Sequence, residues 1–211
     1  MFNITDAYAH LATLSTANLG RTAPNPNVSA AIYGTDGTLI ADGAHNTASP
    51  DHAEVIAIKK ADTAARGATI VVSLEPCNHT GKSGPCVDAI IEAGIAKVIF
   101  AVKDPNPVAA GGADRLKAAG LEVEFVADAR LIEIQSAWLH RITTGRPYFI
   151  WKVATSLDGR IAAADGTSQW ISSPASRDDV QILRSQSDAI LIGTGTAIAD
   201  NPTLRPRIEG A

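Results

Sequence analysis

Residues 76–86 read Pro76-Cys77-Asn78-His79-Thr80-Gly81-Lys82-Ser83-Gly84-Pro85-Cys86, and upstream of them stands His52-Ala53-Glu54. The flanks of this stretch decide the fold. Thr69–Leu74, just before it, is a continuous run rich in β-branched residues, as in a strand buried on both faces. Just after it, Pro85–Gly94 reads as a short helix, with proline as the favoured first residue and Gly94 as the stop. His52–Ala65 has helical spacing and ends before Gly67. Two cysteines and a histidine therefore sit where a strand ends and two helices begin.

The pattern continues outward in both directions. Residues 4–19 are helical, with Ile4, Tyr8, Leu11 and Ala12 on one face and Gly20 as the stop. Val28–Tyr33 and Thr38–Ala41 flank Gly34-Thr35-Asp36-Gly37, a hairpin signature. Downstream come a strand at Lys97–Val102, a helix at Ala113–Gly120, a strand at Leu121–Val126 and one helix over Ala127–Arg141. Alternation of this kind predicts an α/β domain with a mostly parallel sheet and helices on both faces. Thr143-Thr144-Gly145-Arg146-Pro147 reads as a linker, dividing a domain over 1–145 from a second region over 146–211. In that region Tyr148–Thr155 and Asp188–Thr194 are strand-like, with Asp178–Ser185 helical between them.

His52, Cys77 and Cys86 form a ligand set suited to Zn²⁺: one imidazole and two thiolates, with a fourth tetrahedral position left to solvent. Helix N-termini favour thiolates, which supports Cys86. Mid-helix, His52 and Glu54 would lie about 200° apart, but in a first turn both can face one pocket. A carboxylate beside an activated water can take its proton and pass it to a departing amine. Glu54 fits that part, and His-x-Glu followed by Pro-Cys and a second cysteine is a zinc-deaminase signature. Alternatives remain at this level: cysteines as buried packing, or a closed structural site with His79 as fourth ligand.

Composition narrows the partners. The chain has 211 residues, 18 Lys+Arg against 22 Asp+Glu, 45% apolar and 19% charged residues. That excludes disorder throughout and gives no global attraction to nucleic acid or anionic membrane. Two cysteines are too few for a disulfide scaffold. With no signal peptide or membrane-length apolar run read in the sequence, the expected location is the cytoplasm.

The loop between the cysteines is longer than Cys-x-x-Cys, and Pro24-Asn25-Pro26-Asn27-Val28 lies upstream. Together they closely resemble the deaminase domain of the bifunctional riboflavin-biosynthesis deaminase-reductase family. Beyond the linker, Arg146-Pro147-Tyr148, Ser156-Leu157-Asp158-Gly159-Arg160-Ile161-Ala162, Gly193-Thr194-Gly195-Thr196 and Asp200-Asn201-Pro202 resemble the start of that family's reductase domain. The resemblance implies a three-layer cytidine-deaminase-like fold, followed by the incomplete start of a dihydrofolate-reductase-like α/β domain. It implies Zn²⁺, self-association, and a small phosphorylated pyrimidine as substrate: 2,5-diamino-6-ribosylamino-4(3H)-pyrimidinone 5′-phosphate. Asn25, His45, His79 and Lys82 would contact that substrate. The plainer readings are a turn-forming Asn25 and a solvated Lys82. Asp104-Pro105-Asn106-Pro107 either shapes the pocket or is a plain turn.

In the second region the resemblance assigns Ala154, Trp170, Thr196 and Asp200 to NADPH, and Ser168, Arg184, Leu204 and Arg207 to the reductase substrate. The family's reductase domain is several times longer than residues 146–211, so the expectation is a fragment or a truncated chain without reductase activity of its own. Two departures touch no assigned ligand: Ser29 in place of a usual glycine, and Ser83-Gly84 in place of Thr-Pro. The competing functions are a nucleoside or tRNA-base zinc deaminase and a non-catalytic zinc-stabilised module. The long cysteine loop, the reductase-like segment and the acidic balance argue against a tRNA-base enzyme.

Overall fold

The computed structural model describes residues 2–47, 49–81 and 84–208. It divides into two compact units, Met1–Tyr148 and Phe149–Ala211. The first unit runs α1 (Ile4–Ala17), β1 (Ser29–Tyr33), β2 (Leu39–Ala44), α2 (Ala53–Ala61, extended by a 3₁₀ turn over Asp62–Ala65), β3 (Thr69–Val72), α3 (Cys86–Glu92), β4 (Lys97–Phe100), α4 (Gly112–Ala118), β5 (Glu122–Phe125), α5 (Ala129–Ile134) and α6 (Ser136–Thr144).

Five strands form one sheet in the order β2-β1-β3-β4-β5. β1 is antiparallel to β2 and to β3, whereas β3, β4 and β5 run parallel. The sheet is therefore mixed, with β1 alone opposed to four strands that share one direction, in keeping with the expected hairpin and mostly parallel sheet. The physical reason is the path of α2, which carries the chain over β1, so the first hairpin strand lies between β2 and β3 and opposes both. α3 and α4 then make ordinary parallel crossovers. All five residues of β1 are buried, and each is small or apolar except Tyr33 and Ser29. The edge strands β2 and β5 are only partly covered. α1 packs with α5, while α2 packs with α3 and α3 with α4, so helices cover both faces. Ala30, Ile32, Ile70, Val72, Val98 and Phe100 lie in the core between them.

The single helix expected over 127–141 is two helices. It breaks at Gln135, which is 1% exposed and turns its side chain inward. Gln135 Nε2 donates to the Asn27 carbonyl at 2.9 Å, and its Oε1 accepts from the Asn27 N–H at 3.2 Å. α5 has its own cap, because the Asp128 carboxylate accepts from the N–H groups of Arg130 and Leu131.

The second unit contains α7 (Pro174–Ser185) and α8 (Thr194–Asp200). α7 begins four residues before the expected Asp178, with Ser173 capping Ser176 N–H and Pro174 in the first turn. The strands expected over 148–155 and 188–194 do not form, and no strand occurs among the described residues of this unit. Strand-like composition becomes a strand only where a neighbour pairs its N–H and C=O groups. Here Phe149, Ile150, Trp151 and Leu191 stay exposed. No described helix is long and apolar enough to cross a membrane.

Candidate active site

Strand register brings distant segments to one edge of the sheet. Ser29 pairs with Ala44, Ala30 with Val72, and Val72 with Phe100. The start of β1 thus lies beside the ends of β2, β3 and β4. Backbone bonds continue past the strands: His45 N–H to Val28 O at 2.9 Å and Glu75 N–H to Val102 O at 2.8 Å. At this edge is a cavity of about 310 Å³. Asn25, His45, His52, Glu54, Cys77 and His79 line it, as do Glu75, Asp104 and Asn106.

His52 is the cap residue of α2, and Cys86 is the first residue of α3. Pro85 stands at the cap rather than within the first turn as its sequence position suggests. His52 Nδ1 lies 3.1 Å from Cys86 Sγ and 3.5 Å from Cys77 Sγ. The ligand atoms of all three residues fall within 4.8 Å of one another. A tetrahedral zinc with ordinary Zn–S and Zn–N bonds sets sulfur and nitrogen about 3.6 Å apart. The donor set and its spacing therefore fit the metal. Cys86 N–H also donates to Cys77 Sγ at 3.4 Å. Hydrogen bonding from the Cys86 thiol, aided by His52, holds the Cys77 thiol down at about 4, while Cys86 is pushed up by the same contact and by burial. The hydrogen bond to Cys77 raises His52.

Glu54 is 3% exposed and lies in the first turn of α2. Burial, with the nearby Cys77 charge, pushes its carboxyl up to about 7. Such a group can both accept and give a proton near neutral pH.

Asn25 Nδ2 and His45 Nε2 are 3.2 Å apart, and His45 Nδ1 lies 3.4 Å from the Asp51 carbonyl. A neutral ring satisfies both contacts by donating from Nδ1 and accepting at Nε2, and burial favours that form by lowering the pKa. His79 Nδ1 is buried with no hydrogen-bond partner among the described residues, so it retains capacity for a ligand. Lys82 lies outside the described residues. Asp104 lines the cavity, its carboxylate accepting from Asn106 N–H at 2.8 Å, and burial pushes its pKa up. Glu75 bonds the N–H groups of Asp104 and Ala113, tying that loop to the start of α4. Arg115 of α4 bridges Asn78, beside Cys77, and Asp88, beside Cys86.

One wall has no counterpart in the sequence reading. Trp138, Arg141 and Ile142 of α6 also line the cavity. Their i, i+3, i+4 spacing is the signal that one helix face serves it, but Trp138 reads equally well as core. Ser29 is fully buried, bonded to Ser15 Oγ and the Leu11 carbonyl, and touches none of the three ligands.

Of the residues assigned to the second unit, the structure brings together Ser168 and Trp170, which share an open depression with Ser156, Asp158 and Arg160. The Arg177 guanidinium lies 4.4 Å over the Trp170 ring. Ala154, Arg184, Thr196, Asp200, Leu204 and Arg207 do not line that depression. Arg207 N–H instead donates to Gln181 Oε1 at 3.0 Å.

The mixed sheet and its His/Cys/Cys group agree with the sequence comparison, in which residues 3–102 match the cytidine and deoxycytidylate deaminase zinc-binding region. Residues 147–211 match the RibD C-terminal domain. The riboflavin biosynthesis protein RibD of Mycobacterium tuberculosis is 51% identical over 195 residues, 90% of this chain and 56% of that protein. The Escherichia coli RibD is 46% identical over 208 residues, 96% of this chain and 56% of that protein. The crystal structure of a Thermotoga maritima diaminohydroxyphosphoribosylaminopyrimidine deaminase/5-amino-6-(5-phosphoribosylamino)uracil reductase superposes with a TM-score of 0.90 at 38% identity, covering 96% of this chain and 59% of that one. An Acinetobacter baumannii RibD structure gives 0.86 at 43% identity, covering 95% and 56%. Over 90% and 96% of its own length the chain is similar to these two RibD proteins, and it spans about half the length of the curated relatives it matches.

Proposed function

We propose that the first unit catalyses hydrolytic deamination of 2,5-diamino-6-ribosylamino-4(3H)-pyrimidinone 5′-phosphate, a step of riboflavin biosynthesis, with His52, Cys77 and Cys86 as zinc ligands and Glu54 as the acid/base. The observation that carries this reading is a buried carboxylate lining one cavity with His52 and Cys77, two members of a His/Cys/Cys group spaced for zinc. When bound there, Zn²⁺ supplies a Lewis acid that acidifies water. Glu54 takes a proton from the attacking water and delivers it to the leaving amine. A C–O bond forms at C2, the C–N bond breaks, and ammonia departs. Asn25, held by His45, presents its amide to the pyrimidine, while His79 lines the cavity beside the rest of the substrate and Lys82 is assigned to the substrate by the family resemblance alone. The roughly 310 Å³ cavity suits a small ligand.

The test is ammonia release from this substrate by wild type and Glu54→Gln. The variant retains zinc and its melting transition but loses about 10²–10⁴-fold in rate. Unchanged turnover overturns the assignment, and an inactive variant without zinc points instead to a structural role for Glu54.

Ligand thiols that must stay reduced fit a cytoplasmic location, and self-association is carried over from the family. In the relatives' longer chains the reductase region implies NADPH. In this chain we assign residues 149–211 no reductase activity, since the described part contains no strand and Trp170, Thr196 and Asp200 are exposed. Product-dependent NADPH oxidation overturns that assignment.

A further inference from the structure

We infer that Arg141 on the cavity-facing side of α6 binds the phosphate monoester of the substrate and sets the preference for phosphorylated over unphosphorylated ribosides. The inference rests on the proposed deamination and adds the residue that recognises the anion. The charges around the cavity motivate it. Glu54, Glu75 and Asp104 put three carboxyl groups on the sheet-edge side, where a dianion is repelled. Among the described lining residues Arg141 is the one lysine or arginine.

Its position is held from two directions. Arg141 Nη1 donates to the Pro24 carbonyl at 3.2 Å, an anchor that orients the guanidinium without neutralising it. At the other end of α6, Gln135 pairs reciprocally with the Asn27 backbone. Helix and loop 24–27 thus form one wall, carrying Asn25 and Arg141 together. A guanidinium has five donors in a rigid fork that matches phosphate geometry. One is spent on Pro24, and no carboxylate among the described residues pairs with the rest. Trp138 and Ile142, one turn before and one residue after, give the guanidinium apolar neighbours on the cavity wall.

The experiment compares wild type, Arg141→Gln and Arg141→Lys on the 5′-phosphate and on the dephosphorylated riboside. Arg141 is exposed, so both variants fold, which retained zinc and an unchanged melt verify. The ratio of kcat/KM for phosphate over riboside falls about 10- to 100-fold in Arg141→Gln, through KM, and by less in Arg141→Lys, which keeps the charge but loses the fork. Equal losses on both substrates would mean that Arg141 acts only through Pro24, and overturn the inference, as would an unchanged ratio. Calorimetric titration with ribose 5-phosphate separates this from the deaminase reading. Equal binding by wild type and Arg141→Gln refutes the phosphate site even if ammonia is released. Weaker binding by the variant supports the site even if the deaminated base proves to be a different one.

Discussion

Replacing Gly43 by alanine asks whether β2 fixes the height of the helix that carries His52 and Glu54. Gly43 faces the first turn of α2, and a Cβ there would stand 2.9 Å from both Ala57 N and Ile56 Cβ and closer still to the Ala53 carbonyl. Ala53 lies between the proposed zinc ligand and the proposed acid/base. Ordinary contact begins near 3.4 Å, so α2 must retreat by at least about 0.5 Å. Two effects on stability oppose one another. Gly43 has no left-handed φ, so alanine restricts the unfolded chain and stabilises by about 0.4–1 kcal/mol. Overpacking against backbone costs about 1–3 kcal/mol. Overpacking wins, by about 1–2 kcal/mol, and Tm falls by roughly 2–8 °C. Activity suffers more than stability. Where a 1 Å misplacement costs about 10²-fold, half of that costs about 10-fold or more. Calorimetry, zinc content and ammonia release measure the three quantities on one preparation. A Gly43→Ala protein with wild-type melting and full turnover would refute the argument that strand–helix contact sets the site.

Gly112→Ala places a Cβ inside the Pro76 carbonyl, with the Pro76 carbonyl carbon only 2.9 Å away. Because Pro76 precedes Cys77, the expected result is zinc loss to a chelator at least about 10-fold faster than wild type and a larger drop in Tm than Gly43→Ala gives. Gln135→Leu leaves the Asn27 N–H and C=O buried without partners, a destabilisation of about 2–4 kcal/mol measurable by urea unfolding. Asp128 caps α5 and bonds Arg130, which holds its carboxyl below the usual range. Its stabilising effect is therefore fully present above about pH 4, the unfolded value, and is lost as pH falls through the folded one. Asp128→Asn keeps the cap oxygen and flattens that acid limb in melts taken below about pH 5.

The sequence made the chemistry legible before the geometry. His52, Glu54, Cys77 and Cys86 are identifiable because metal binding and proton transfer demand particular residue types at helix starts, and the order of elements limits where those starts can lie. β3 and β4 are equally plain, since a strand covered on both faces admits little but Val, Ile and Phe. The α6 wall is not legible, because Trp138 at helical spacing has the same pattern whether it faces core or cavity. Gln135 is likewise an ordinary helix former until its partner, more than a hundred positions earlier at Asn27, is known. The strands expected at 148–155 and 188–194 failed for a related reason: local composition encodes a preference, and pairing is a non-local fact.

The direction of β1 has the largest consequence for function. Were β1 to run with β3 instead of against it, the site would be taken apart. The strand's five residues span about 16 Å at roughly 3.3 Å per residue. In that arrangement the start of β1, with Asn25 just before it, would lie about that far from the end of β3 that leads to Cys77. Antiparallel pairing of Ala30 with Val72 reverses the strand and brings Asn25 to the edge where Glu54 and Cys77 lie. α2 makes the reversal possible by carrying the chain over β1 from β2 to β3. The same helix begins with His52 and Glu54, so the crossover that sets the sheet order also delivers the ligand and the acid/base to the cavity. A shorter connection from β2 to β3 would leave room for neither.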